Sequence, residues 1–96
     1  MTDTDLADSL LERIEDSCDL FLRRQISATV LRVSIEQNAA SMRAVDPESA
    51  AVLTSFAEVL QAIAAHRDEN KQFVEVCNVI DRIRDFRKLR RLPSEV

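Results

Sequence analysis

The side chains best able to do chemistry in this chain are charged, and they are sorted by sign along the sequence. The first 19 residues contain seven acids and one base, Arg13, whereas residues 82–91 contain six bases and one acid, Asp85. Residues three and four positions apart share a helix face, so the acids predict one stripe and the bases another. The chain therefore carries an acidic helix and a basic helix.

The acidic stripe has two interpretations that the sequence leaves open. In the first, it packs beside the basic stripe of the folded chain, where each stripe also complements its own helix dipole. In the second, it faces solvent and binds a basic partner protein, because complementary potentials speed encounter and select against wrong partners. The partner-binding residues predicted by the second interpretation are Asp8, Glu12, Glu15, Asp16 and Asp19.

The basic stripe permits a third interpretation, a contact with nucleic acid. Together with Arg90, the stripe forms a predicted basic patch of Arg84, Arg87, Lys88, Arg90 and Arg91. Phe86 is the one nearby aromatic on which a base could stack, and the net charge of −4 repels phosphate over the rest of the surface. The composition therefore disfavours nucleic acid as a partner.

Signals for catalysis or metal binding are weak. The chain has no glycine, the residue on which phosphate-binding loops, dinucleotide-binding motifs and nucleophile elbows depend. His66, the sole histidine, is expected at a helix end, where it complements terminal carbonyls and the helix dipole. Cys18 and Cys77 have no paired spacing, which argues against a disulfide scaffold or a zinc site, and both lie on apolar helix faces, which predicts buried thiols. We therefore expect a protein that is not an enzyme and that binds neither a cofactor nor a metal ion.

Four helical segments must position these residues, and the first two follow from apolar spacing and capping. A capping box between Thr2 and Asp5 predicts the start of the first helix, whose apolar stripe ends near Leu22. A polar interval then shifts the apolar phase. Ser27 is a suitable N-cap for the second helix, whose stripe ends at Met42.

The third and fourth helices have clearer boundaries. Asp46 followed by Pro47 places a capping carboxylate before proline at the first helical position. The polar run 66–72 predicts a turn, after which an apolar stripe continues to Leu92 and is stopped by Pro93.

Short connections make successive helices antiparallel, which predicts an all-α, up-down four-helix bundle formed by residues 1–96 as one domain. Neither the first nor the third junction contains proline or glycine, so two long helices forming a hairpin that dimerises are the alternative. No apolar run approaches the roughly 18 residues that span a bilayer, and the first residues are acidic where a secretory signal is basic. We therefore expect a cytoplasmic protein that does not bind membranes.

Two stretches carry a resemblance to a known family. Residues 10–31 read LLERIEDSCDLFLRRQISATVL, an amphipathic helix ending in Phe-Leu, a short polar link and Ile-Ser-Ala. Residues 46–63 follow as a capped helix, DPESAAVLTSFAEVLQAI. Together they resemble the colicin-D-type, self-protective immunity proteins of bacteria. The resemblance implies a small helical bundle that inhibits a ribonuclease toxin without catalysis, by placing its acidic surface in the toxin's basic, RNA-binding cleft.

The same composition suits a dimeric adaptor or a secretion chaperone. Such a protein would hold a partner helix against an exposed apolar helix face, for which Val30, Val33 and Ala40 are the candidates.

Overall fold

Four α-helices and three short links make up the part of the chain that the structure describes. A computed structural model describes the backbone of residues 3–91 and the side chains of residues 5–90. The helices are α1 (Asp3–Leu22), α2 (Ala28–Met42), α3 (Pro47–Ile63) and α4 (Glu69–Arg91). The predicted all-α four-helix bundle is confirmed. The alternative of a two-helix hairpin is wrong, because the first and third junctions both interrupt the helix.

The predicted caps of α2 and α3 are confirmed by their hydrogen bonds. The Ser27 hydroxyl accepts from the Val30 backbone N–H at 3.2 Å. The Asp46 carboxylate accepts from the Ser49 N–H at 3.1 Å, with Pro47 as the first helical residue. The predicted capping box at Thr2 and the predicted stop at Leu92 and Pro93 lie outside the described residues.

The first junction ends α1 in a way that the sequence did not reveal. Arg24 adopts a φ of 62°, in the left-handed region that normally favours glycine. The Gln25 N–H donates to the Leu20 carbonyl and the Arg24 N–H to the Phe21 carbonyl, both at 2.9 Å, which is the Schellman pattern of helix termination. The Arg24 guanidinium also lies 4.3 Å from the centre of the Phe73 ring, so the contact with α4 helps to hold this conformation.

The third junction is shorter than predicted. The prediction that the whole polar run 66–72 forms a turn is wrong, because α4 begins at Glu69. The Asp68 carboxylate accepts from the backbone N–H groups of Asn70 at 3.0 Å and Lys71 at 3.3 Å and so starts the helix within the polar run.

The four helices form a closed ring in which each packs against its two neighbours in the order α1, α2, α3, α4. Their apolar stripes meet in one aliphatic core along the axis of the bundle. The largest fully buried side chains are Leu11, Ile14, Leu31, Ile35, Met42, Leu53, Leu60, Ile80 and Ile83. Closure of the ring places α1 beside α4 and so brings the acidic and basic stripes together.

Candidate functional site

A row of ion pairs joins α1 to α4. Arg84 Nη2 lies 2.9 Å from Asp19 Oδ1. One turn further along α4, Arg87 lies between two acids of α1, with its Nη1 donating to Glu15 Oε2 and its Nε 3.6 Å from Asp8 Oδ1. For these acids the structure therefore agrees with the first interpretation, in which the stripes pack side by side.

Arg87 is the one charged side chain among the described residues that the bundle buries, with 8% of its surface exposed. It occupies an inward position on α4, one turn beyond Ile83, where an apolar residue would continue the core stripe. A buried guanidinium is tolerated when carboxylates compensate its charge, and here two carboxylates on one helix do so. The ion pairs of Arg87 are therefore part of the interior of the bundle.

A second cluster lies between α3 and the end of α4. Arg90 donates to Asp46 Oδ2 from Nη2 at 2.9 Å and from Nε at 3.1 Å, and Nε also lies 3.2 Å from the Ser49 hydroxyl. Burial acts to raise the pKa of the Asp46 carboxyl, but hydrogen bonds from Ser49 and Arg90 outweigh it and hold this pKa below its ordinary value. The sequence identified Asp46 only as a helix cap and gave no sign of its pairing with Arg90.

The five predicted partner-binding acids fall into two groups. Asp8, Glu15 and Asp19 are partly buried and face α4. Glu12 and Asp16 lie one turn apart on the outward side of α1, where both are exposed and neither forms an ion pair with another described side chain. We call Glu12 and Asp16 the outer acidic pair.

Most residues of the predicted basic patch form ion pairs with carboxylates of the bundle. Arg84, Arg87 and Arg90 each pair with a carboxylate, whereas Lys88 is exposed. The side chain of Arg91 lies outside the described residues. Among the described residues of the predicted patch, Lys88 is therefore the one outside an ion pair, and Lys71 and Arg82 elsewhere on α4 are also exposed.

The histidine and the two cysteines have surroundings that differ in part from the predictions. His66 Nε2 lies 3.5 Å from Glu75 Oε2 on α4, whereas we expected it to complement the carbonyls at the end of α3. Cys18 is fully buried, and burial raises the pKa of its thiol to about 12. Cys77 is half-buried, so the prediction of burial is only partly correct for it. Burial, reinforced by Asp81, raises the pKa of its thiol. Both thiols are free and have little of the thiolate form that reacts.

The described part of the chain contains neither a metal-binding cluster nor a membrane-spanning helix. No group of three or more histidine, cysteine, aspartate or glutamate side chains within residues 5–90 is arranged to hold a metal ion. Within the described helices, none combines the length and apolar character needed to cross a bilayer.

Comparison with known proteins found no match: no family model, no curated protein and no solved structure is significantly similar to this chain.

Proposed function

We propose that this protein is a non-catalytic, protein-binding helical module that acts in the cytoplasm, and that the outer acidic pair binds a basic surface of the partner. The observation that carries the proposal is the division of the α1 acids. Three of them engage α4, whereas Glu12 and Asp16 are exposed at adjacent turns without a pairing cation among the described residues. Two carboxylates on one helix face match a partner that presents arginine or lysine side chains.

The surroundings of this pair support a binding role. The ion pairs of Glu15 and Asp19 with α4 lie next to Glu12 and Asp16 on the same helix. On another side of α1, the Ser17 hydroxyl hydrogen-bonds to the Ser34 hydroxyl of α2 at 2.6 Å. These contacts hold the backbone of α1 before a partner arrives, which reduces the conformational entropy lost on binding.

The resemblance to immunity proteins gives the proposal a partner class. We infer that the partner is a toxin domain with a basic, ribonuclease-like cleft, and that the outer acidic pair occupies positions that RNA phosphates would take. Occupation of the cleft blocks the toxin without any chemistry by the inhibitor, so the proposed module needs neither a catalytic residue nor a cofactor.

A second candidate function has an observation of its own. Val30 and Val33 on α2 are 50% and 38% exposed, and Ala40 is exposed on the same helix. A face of this kind favours an adaptor or secretion chaperone that holds the apolar side of a partner helix.

A growth-rescue assay tests both candidates. Proteins encoded beside this chain in its genome are expressed one at a time in a bacterial host, with and without this chain. We expect one of them, with a basic C-terminal domain, to arrest growth and the wild-type chain to restore it. Glu12→Lys combined with Asp16→Lys should abolish rescue, because the variant presents positive charge to a basic surface.

The matched control is Glu48→Lys combined with Glu58→Lys, which reverses two exposed acids on α3. This control should rescue growth fully. Equal rescue by both double variants would refute the role of the outer acidic pair. Loss of rescue in Val30→Glu with Val33→Glu, while the α1 variant stays active, would favour the adaptor function.

A further inference from the structure

The last third of α4 is attached to the bundle differently from the rest of the helix. Val76, Val79, Ile80 and Ile83 place fully or nearly fully buried apolar side chains in the core. Beyond Ile83 the inward position belongs to Arg87, and Leu89 is 67% exposed. Apolar burial, the largest source of stability in a bundle, therefore falls off after residue 83.

Packing on the α3 side of α4 is also loose. The helix packs less closely against α1 and α3 than α2 packs against its own two neighbours. Two open hollows follow the junction between α3 and α4, of about 470 Å³ beside Val52, Phe86 and Leu89 and about 370 Å³ beside Val59 and Val79. Both hollows are open to solvent, so they are grooves along the surface of this junction.

Beyond Ile83 the half-buried Phe86 keeps one apolar contact with the core, and ion pairs supply the rest of the attachment of this part of the helix. Arg84 and Arg87 bind acids of α1, and Arg90 binds Asp46 at the start of α3. These arginines recur every three residues, so they project from α4 towards two different elements of the bundle. We call residues 84–90 of α4, which include these three arginines, the arginine latch.

We propose that the arginine latch opens as a unit while the rest of the bundle stays folded, and that its closure depends on ionic strength. Elements with few buried apolar contacts open at a lower free energy than the core. Salt screens partly exposed ion pairs, and the paired side chains of Arg84 and Asp19 are 39% and 48% exposed. Opening would uncover Ser49, which is buried in the closed bundle and accepts a hydrogen bond from Arg90.

Native-state hydrogen exchange of the full-length chain, read at single amides by NMR, tests this proposal. In low salt we expect the amides of residues 84–90 to exchange through an opening that leaves those of 76–83 protected. Raising NaCl from about 0.05 M to about 0.5 M should lower protection in the latch several-fold, because salt screens the exposed Arg84–Asp19 pair strongly and the more buried pairs of Arg87 and Arg90 less, and should change protection little in α2 and α3.

Variants separate the latch from the fraying of any helix end. Arg84→Gln removes one ion pair of the latch and should lower protection of residues 84–90 several-fold without affecting α2. The matched control, Arg32→Gln, removes the Arg32–Glu36 pair within α2, which is formed at 3.0 Å, and should leave the latch unchanged.

Two results would overturn the proposal. One is exchange of the latch amides at the same rate in both salt concentrations and in both variants, which is ordinary end fraying. The other is a single free energy of opening for all of α4, α2 and α3, which is global unfolding. The measurement uses the protein alone, so it is independent of the growth-rescue assay.

Discussion

Replacement of Arg87 by alanine should destabilise the bundle more than any other loss of an ion pair described above. The Arg87 side chain is 10% exposed and is compensated by Glu15 and Asp8. Removing one partner of a buried ion pair costs about 3–5 kcal/mol, because it strands the opposite charge. The carboxylates left behind are 27% and 38% exposed and can be hydrated. The expected loss of free energy of unfolding is therefore about 3 kcal/mol, the lower end of this range.

Arg84→Ala is the natural comparison for this prediction. Arg84 lies on the same helix and also binds an acid of α1, but its side chain and that of Asp19 are 39% and 48% exposed. Exposed pairs contribute about 0.2–1 kcal/mol, so the two variants should differ in free energy of unfolding by about 2 kcal/mol or more.

Urea denaturation followed by circular dichroism at the helix band measures both free energies. With a slope of about 1–2 kcal/mol per molar urea, the unfolding midpoint of Arg87→Ala should lie about 1 M or more below that of Arg84→Ala. Equal midpoints with equal slopes would refute the inference that burial makes the Arg87 ion pairs different. Glu15→Gln should fall between the two variants, because Asp8 still compensates Arg87 after this change.

Two further predictions concern Asp46 and Arg24. The folded chain holds the pKa of Asp46 below its ordinary value of 3.8, so the stability this group contributes is present above pH 3.8 and is lost as pH falls through the lowered pKa. Asp46→Asn should therefore lower the free energy of unfolding, measured by urea titration, by about 1–2 kcal/mol at pH 7 and by progressively less towards pH 2. A loss of stability that does not change with pH would count against the pairing with Arg90. Arg24→Gly should leave the free energy of unfolding nearly unchanged. Glycine relieves the strain of the left-handed backbone, and this gain offsets both the loss of the Phe73 contact and the greater conformational freedom of the unfolded chain. Arg24→Ala keeps the strain and loses the contact, so its melting temperature should be the lower of the two, and the reverse order would contradict this account.

Local features of the fold were predictable from the sequence because their causes lie within a few residues. Ser27 and Asp46 cap helices through hydrogen bonds to residues three positions away. The apolar spacing that predicts the stripe of α1 needs only the residues of that helix. The end of α1 was predicted at the correct residue, although the left-handed conformation of Arg24 was not, since arginine is an uncommon residue at that position.

The candidate site was predictable only in part. The sequence identified five of the seven acids of α1 as candidates but could not separate Glu12 and Asp16 from the three that face α4. Asp19 and Arg84 are 65 positions apart in the chain, and Glu15 and Arg87 are 72 apart. Pairing at such distances depends on which helix packs on each side of α1, and the residues of one helix do not specify its neighbours.

Four helices, two of their caps and the sorting of acids to one end and bases to the other follow from the amino-acid sequence alone. The burial of Arg87, the pairing of Arg90 with Asp46 and the exposure of Glu12 and Asp16 arise only when the helices pack together. The two sets of features differ in the range of the interactions that produce them. Backbone hydrogen bonds and helical periodicity act over three or four residues, whereas the burial and pairing of a charge follow from the closure of the whole four-helix ring.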